Sequence, residues 1–358
     1  MAIPLQLNTI ATGLEHPWSV AFLPGGRFLV TERPGRMRII EADGTLGSPL
    51  TGLPATLVVS GQGGILDVVL DPDYTVNQRL YFSFAESGPG GSSTAVARAE
   101  LDVNANALDH VEVIFSQQPK VFSDAHFGGR IVVSADRQHL YINTGDRGLG
   151  DQQPQQIDNE IGKVLRIQLD GQVPGNNPFP GGQRIWSIGH RNIQGAAIHP
   201  NTGVLWTHEH GPQGGDELNI IQSGKNYGWP NVSYGCQYGM NPCLQIGGGT
   251  HAQDYVEPLT HWGVPSTAPS GMAFYTADAI PQWRGKLLVG ALAGRTLWLI
   301  DIDSPGPIVC ADGQRQRCSE VVEVTNFGER IRDVRQGPDG GVYLLTDSPA
   351  GLLIRLGP

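Results

Sequence analysis

A strand–turn–strand unit recurs six times along the chain, and that recurrence limits the available folds more than any other feature. It reads "SVAFLPGGRFLVTERPGRMRII" from Ser19, "ILDVVLDPDYTVNQRLYFSFAES" from Ile65 and "GRIVVSADRQHLYINTGDRG" from Gly129. It returns as "GAAIHPNTGVLWTHEHG" from Gly195, "GMAFYTADAIPQWRGKLLVGALAGRTLWLI" from Gly271 and "IRDVRQGPDGGVYLLTDSPAGLLIRL" from Ile331. Each copy has an alternating apolar run, a turn rich in Pro, Asp and Gly, and a second apolar run ending on Thr, Ser or a charged residue. Alternation with period two and enrichment in Val, Ile, Leu, Phe and Tyr mark strands, and the Pro-Gly, Asp-Gly and Gly-Gly pairs mark turns. Most copies continue into a third short strand. No long stretch carries a helical period with capping residues. Six units over 358 residues average about 60 each, longer than the roughly 40–50 of a typical propeller blade, and longer loops absorb the difference. The predicted fold is all-β: one six-bladed β-propeller domain over residues 1–358. "PLQLNTIAT", from Pro4, precedes the first copy and alternates like a strand. It is predicted to complete the last blade, because an unclosed ring would leave strand edges exposed.

Composition narrows the function. Glycine and proline make up about a fifth of the chain, against a typical total of roughly 12%, and with apolar segments throughout this signals many tight turns, not disorder. Net charge is −10 and no basic run stands out, which excludes a duplex-binding surface built on clustered Lys and Arg. No apolar run approaches the roughly 20 residues of a membrane span. "MAIPLQLNTIATG" lacks a charged segment followed by an apolar one, so a cytoplasmic chain and one whose signal has been removed are both open. Cys236 and Cys243 enclose six residues and Cys310 and Cys318 enclose seven, in stretches rich in Gly, Pro, Asn and Gln. Neither spacing is C-x-x-C, which argues against zinc or thioredoxin-like chemistry. Two local disulfides are predicted, and they require an oxidising compartment; the plainer reading is four unrelated thiols, which exposed loops tolerate badly.

In a propeller the loops at one end of the channel converge, so polar segments far apart in sequence become neighbours. Those segments are "GQGG" with Gln62, "DAHFGGR" with His126, "NTGDRG" with Asp146, "GHRNIQG" with Arg191 and Asn192, and "HEHGPQGGDELN" from His208 to Asn219. A His, an Arg, an Asp and amides on converging loops make a candidate polar site. Each also has a plainer reading. A histidine before a strand is more often structural than catalytic, Arg191 could cap carbonyls, and Asp146 could close an Asx-turn. The glycine-rich run could be only a turn. It lacks the EF-hand pattern, although backbone carbonyls and Asp suit a hard cation.

A resemblance weights these readings. "GQGGILDV", "HFGGRI", "YINTGDRG", "IGKVLRIQLDG", "IWSIGHRNIQGAAIHP", "HEHGPQGGDELNII", "GKNYGWPNV" and "RIRDVRQGPDGGVYLLTD" occur in this order from Gln62 to Asp347. Together they closely resemble the soluble PQQ-dependent glucose/sorbosone dehydrogenases, the aldose sugar dehydrogenase type in particular. That family's fold is a six-bladed propeller, in agreement with the repeat count. The resemblance implies a PQQ quinone that accepts a hydride from C1 of an aldose, giving a lactone, with the electrons passed to an unidentified acceptor other than oxygen. It implies that His126 is the base for the C1 hydroxyl, that Asp146 orients it, and that Arg191 polarises the quinone. It further implies PQQ contacts from Gln62, Asn192, Ser266, Arg330 and Arg332, and Ca2+ held by the carbonyls of Gly211 and Pro212 with Asp216 acting directly or through water. His208 and His210 need not be ligands. One departure is Ala293, which stands where the glucose dehydrogenases carry a lysine; Arg295, two positions on, is the candidate substitute. The loops are shorter than in that branch, which suits an open sugar pocket and a monomer. A periplasmic or secreted location follows from the same resemblance. Two other classes stay in view: a calcium-dependent propeller hydrolase of lactonase type, which would want clustered carboxylates, and a non-catalytic binding propeller, which would not need His126, Asp146 and Arg191.

Overall fold

The computed structural model describes residues 4–181, 183–310 and 315–358. Six four-stranded antiparallel sheets are arranged as the blades of a β-propeller. The innermost strands are Pro17–Leu23, Ile65–Leu70, Gly128–Val133, Ile193–Ile198, Pro269–Phe274 and Ile331–Gln336, and each packs against the next around the ring. The N-terminal strand Gln6–Leu14 pairs antiparallel with Gly351–Gly357, from Gln6 opposite Gly357 to Leu14 opposite Gly351. It is the outer strand of the last blade, so the ring closes as the alternation of "PLQLNTIAT" predicts.

Packing explains why the inner strands read as nearly continuous apolar runs. Pro17–Leu23 is buried at almost every position, whereas the outer strand Ala107–Ser116 alternates with exposed residues. An inner strand has a blade on either side; an outer strand faces water. The core accordingly lies in layers between blades. Leu29, Met37 and Ile39 of the first blade meet Phe82, Phe84 and Ala97 of the second. At the closure, Val20, Phe28 and Val30 meet Tyr343, Leu345 and the N-terminal Leu14.

Each inner strand shifts register near its third residue. Bulges of this kind bend a strand and re-aim its side chains. At this level stand Ser19, Asp67, Arg130, Gly195, Gly271 and Asp333. The charged members form a buried plug across the channel: Arg130 Nη1 lies 3.1 Å from Asp67 and 3.0 Å from Asp333. Arg335 reaches the same two carboxylates at 2.8 and 2.9 Å, and the Ser19 hydroxyl donates to Asp67 at 2.6 Å. Buried charges persist only when paired in this way. The two glycines are dictated by close approach. A Cβ at Gly195 would lie 2.0 Å from His208 Nε2, and one at Gly271 would lie 2.4 Å from the Val334 nitrogen.

Departures from the repeat pattern sit at the blade edges. The fourth strand of blade four is only Thr260–His261, and it pairs with Glu217–Ile220 after a long excursion. That excursion carries a small hairpin, Ser233–Cys236 with Gln245–Ile246. Both predicted disulfides, Cys236–Cys243 and Cys310–Cys318, are formed. No helix is long and apolar enough to cross a membrane among the described residues.

Candidate active site

The loops entering the inner strands meet above the plug. His126 lies one residue before Phe127-Gly128, with a left-handed φ of 46°, a conformation uncommon outside glycine and worth a functional look. Its backbone N–H donates to Gln62 Oε1 at 2.8 Å. Its Nδ1 lies 2.6 Å from Asp146 Oδ1, with 17% of the side chain exposed. The same carboxylate accepts from the Gly148 N–H and from Trp229 Nε1, both at 2.8 Å. Burial alone would push the Asp146 carboxyl up, but the His126 hydrogen bond, the charges of His126 and Arg191 and the Gly148 N–H outweigh it and hold it below its ordinary value. Against an ionised Asp146, Nδ1 is the donor, so in the neutral imidazole Nε2 is the acceptor nitrogen. The loop is braced from behind. The buried Arg147 guanidinium stacks 3.4 Å over the Phe127 ring and donates to the Ser123 carbonyl at 2.6 Å.

Blade four contributes the next group. The Asp146 N–H donates to the Arg191 carbonyl at 2.7 Å, tying the two loops together. Arg191 donates through Nη1 to the His210 carbonyl at 3.0 Å and through Nη2 to the Tyr238 hydroxyl at 3.1 Å. Its Nε is buried without a hydrogen-bond partner. Asn192 Oδ1 accepts from the Gly128 N–H at 3.2 Å and from Gln194 at 3.1 Å.

A cavity of about 300 Å³ opens beside these residues, walled by Trp18, Gln62, His126, Asn192, Arg330 and Arg332, with Arg33 at its edge. Arg330 and Arg332 share the Asp347 carboxylate at 3.4 and 3.2 Å, and His16 reaches its other oxygen at 2.9 Å. Burial would raise the Asp347 carboxyl, yet the charge of Arg332, the His16 hydrogen bond and the charge of Arg330 hold it far below the usual carboxylate range. Arg332 Nε is buried and unpartnered. His210 lines the same cavity and donates from Nε2 to the Pro269 carbonyl at 2.7 Å. Burial, against that hydrogen bond, and then the charges of Arg191, Arg332 and His126 push its pKa down to about 3, so the ring is neutral. Three arginines against one carboxylate leave the cavity electropositive.

The run from His208 to Asn219 folds around a second, much smaller cavity of about 10 Å³, which borders Arg191, Glu209, Gly211 and Glu217. Among the described residues neither the Gly211 nor the Pro212 carbonyl accepts a hydrogen bond. Burial and then the neighbouring Glu209 charge push the Glu217 carboxyl up, as two close buried carboxylates do. Asp216 is spoken for. It accepts from the Gly211, Thr267 and Ala268 N–H groups at 3.0, 2.9 and 3.1 Å and from the Ser266 hydroxyl at 2.8 Å. It therefore fastens the Gly211 loop to the loop entering blade five. No group of three or more His, Cys, Asp or Glu forms a metal cluster among the described residues, so a cation here would depend on carbonyl oxygens.

The structure thus brings Gln62, His126, Asn192, Arg330 and Arg332 together around one pocket, with Asp146 behind His126; Arg191 and Gly211 line the small cavity, and Asp216 holds the Gly211 loop. Ser266 is turned to Asp216 and not into the cavity. Arg295 stands apart: its φ is 49°, it is exposed, and Nη1 donates to the Gly328 carbonyl at 3.4 Å. Sequence reasoning passed over Trp18, Arg33, Glu209, Glu217, Trp229, Tyr238 and Asp347. Trp229 and Asp347 lie inside the motifs "NYGWP" and "YLLTD", where a pattern match assigns them no role.

These features define a propeller with an acid–base pair facing a cationic pocket, and comparison with known proteins gives that class a family. The model of the family described as Glucose / Sorbosone dehydrogenase matches residues 14–355, and the chain belongs to that family. It is 40% identical to the aldose sugar dehydrogenase YliI of Escherichia coli strain K12, over all of this chain and 94% of that protein. It is 27% identical to quinoprotein glucose dehydrogenase B of Acinetobacter calcoaceticus, over 95% of this chain and 85% of the other. The PQQ-bound aldose sugar dehydrogenase of Streptomyces coelicolor superposes with a TM-score of 0.77 at 28% identity, covering 99% of this chain and 100% of that one.

Proposed function

We propose that the protein oxidises aldose sugars at C1 to lactones with bound PQQ and Ca2+, and passes the electrons to an acceptor other than oxygen. The observation that carries this reading is the His126–Asp146 pair at the edge of an arginine-walled pocket whose buried Arg332 Nε has no partner. An unsatisfied buried guanidinium nitrogen is costly, and a carboxylate-bearing planar ligand would satisfy it. PQQ, when bound, supplies an ortho-quinone that takes up the hydride from the sugar. The residues present fit it: Arg330 and Arg332, with Arg33, suit its carboxylates, Gln62 and Asn192 its polar edge, and Trp18 and Leu66 its flat apolar face. The Gly211 and Pro212 carbonyls suit a hard cation, with Glu217 and Glu209 as nearby anionic donors and Asp216 acting at one remove by holding Gly211 in place.

His126 Nε2 accepts the C1 hydroxyl proton, while Asp146 fixes the tautomer and stabilises the imidazolium that results. Arg191 places fixed positive charge on the wall of the small cavity, which shares His210 with the large one. The neutral His210 adds a polar wall without competing for that charge. The two disulfides support a periplasmic or secreted location. The test is reconstitution. Apo-protein given PQQ and Ca2+ should reduce an artificial dye with glucose, a chelator should abolish the activity, and Ca2+ with PQQ should restore it. Glucose-dependent reduction that persists in metal-free, PQQ-free protein would defeat the proposal, as would no activity at saturating cofactor.

A further inference from the structure

Tyr238 lies inside the loop closed by the Cys236–Cys243 disulfide, whose Cα atoms are 5.3 Å apart. The base of that loop is firmly seated. Cys236 is fully buried and its N–H donates to the Gln213 carbonyl at 3.2 Å, while the Gln237 N–H donates to Leu244 at 2.9 Å. Gly235 sits so close to the 211–215 loop that a Cβ there would come 2.5 Å from Pro212 Cδ. The other end of the loop is different. The Tyr238 ring is 67% exposed, so packing does not fix it. Among the described residues its one hydrogen bond is the one its hydroxyl accepts from Arg191 Nη2 at 3.1 Å.

From the guanidinium's side that contact matters more. Arg191 has two acceptors, the His210 carbonyl on Nη1 and the Tyr238 hydroxyl on Nη2, and nothing on Nε. Two acceptors on two nitrogens of a planar fork define its plane; one leaves it free to turn. The same guanidinium lies 5.3 Å from the Trp229 ring, and Trp229 holds Asp146. We propose that Tyr238 is a positioning residue for Arg191, and that the Cys236–Cys243 bridge belongs to the active site as the strut that holds the phenol in place. The inference rests on the dehydrogenase reading in taking Arg191 as a group that acts on the reaction.

Tyr238→Phe removes only the hydroxyl, and the paired Cys236→Ser/Cys243→Ser variant removes only the strut. Each should lower kcat with glucose by about 10- to 100-fold, the scale on which a displaced catalytic group acts. KM and PQQ affinity should change less than about threefold and the melting temperature should fall little, because a misplaced guanidinium affects the rate, whereas a disturbed fold affects all four. The triple variant should be no slower than the slower of the two parents, since both act through one contact. A second readout is independent of turnover. In the PQQ- and Ca2+-loaded protein the Arg191 Nε–H resonance should be rigid on the nanosecond scale, and it should become mobile in both variants. An equally rigid Nε–H in Tyr238→Phe, or wild-type kcat in that variant, overturns the positioning role. Additive losses in the triple variant overturn the strut. A wild-type protein without PQQ-dependent turnover would instead strike the functional reading, and the resonance alone would then decide whether Tyr238 orders Arg191.

Discussion

The two ends of the central channel are built from the same six strands and have opposite character. Where the strands begin, Trp18, Gly128, Asn192, Gln194 and Arg332 wall a charged pocket. Where they end, Val20, Val68, Val132, Ala196, Met272 and Phe274 wall an apolar funnel. The plug of Arg130, Arg335, Asp67 and Asp333 divides them. The connections account for the difference. At the funnel end the inner strands of blades one, three, four and six leave through short turns such as Pro24-Gly25-Gly26. At the pocket end long connections precede Ile65, Gly128 and Ile331 and join Thr144 to Lys163, and loops on a rigid scaffold are where binding and catalytic groups accumulate.

If the chemistry belongs to one end only, substitutions should sort by end. His126→Ala, in the pocket, should have the largest effect: a loss of roughly 10²–10⁴ in kcat, typical of a positioned base, with PQQ affinity nearly unchanged. Single-turnover reduction with saturating glucose measures it, and near-normal rates would remove His126 from the reaction. Asp67→Ala, in the plug, should act on stability first. It leaves Arg130 and Arg335 short of a buried partner, a change that costs about 3–5 kcal/mol, read as a lower urea midpoint at unchanged slope. A kcat loss as large as that of His126→Ala would show that the two ends are not separable.

Asp347→Asn sharpens the contrast through pH. The Asp347 carboxyl is held below its unfolded value of roughly 3.9, so its contribution to stability is complete above that pH and fades as the pH falls through the folded-state pKa. The wild type should therefore lose more stability than the variant between pH 5 and the acid end, in paired unfolding curves taken at about half-unit steps; parallel curves would deny the arginine–Asp347 coupling. Val132→Thr, in the funnel, should do least. Neither kcat nor KM with glucose should move by as much as about twofold, and a larger change would give the apolar end a part in the reaction.

The fold was legible because the apolar runs of the inner strands, each packed between two blades, recur six times with turn residues after them. The outer strands were less so: Leu46–Pro49, Thr260–His261 and Cys318–Glu320 are short and carry little alternation, so the sequence shows about three strands per unit where the blades have four. The plug was hidden by the same logic, since Ser19, Asp67, Arg130 and Asp333 interrupt apolar runs singly and only the ring reveals them as neighbours. At the site, motifs pointed to His126, Asp146 and Arg191. They could not show that the Ser266 hydroxyl is consumed by Asp216, nor that Arg295 turns toward the Gly328 carbonyl. Both outcomes depend on contacts between blades. Tyr238 carried no signal, because an exposed tyrosine in a polar loop looks like any other.

The latch between Gln6–Leu14 and Gly351–Gly357 has a consequence for how the molecule comes into being. Strands that pair across nearly the whole chain pair last, because loop closure has to be paid before the contact rewards it. A chain emerging from one end holds its first strand unpartnered until almost everything else has followed, and the circle is sealed in a single late event. Until then the blades form an open arc, and afterwards the last blade cannot open without breaking that pairing.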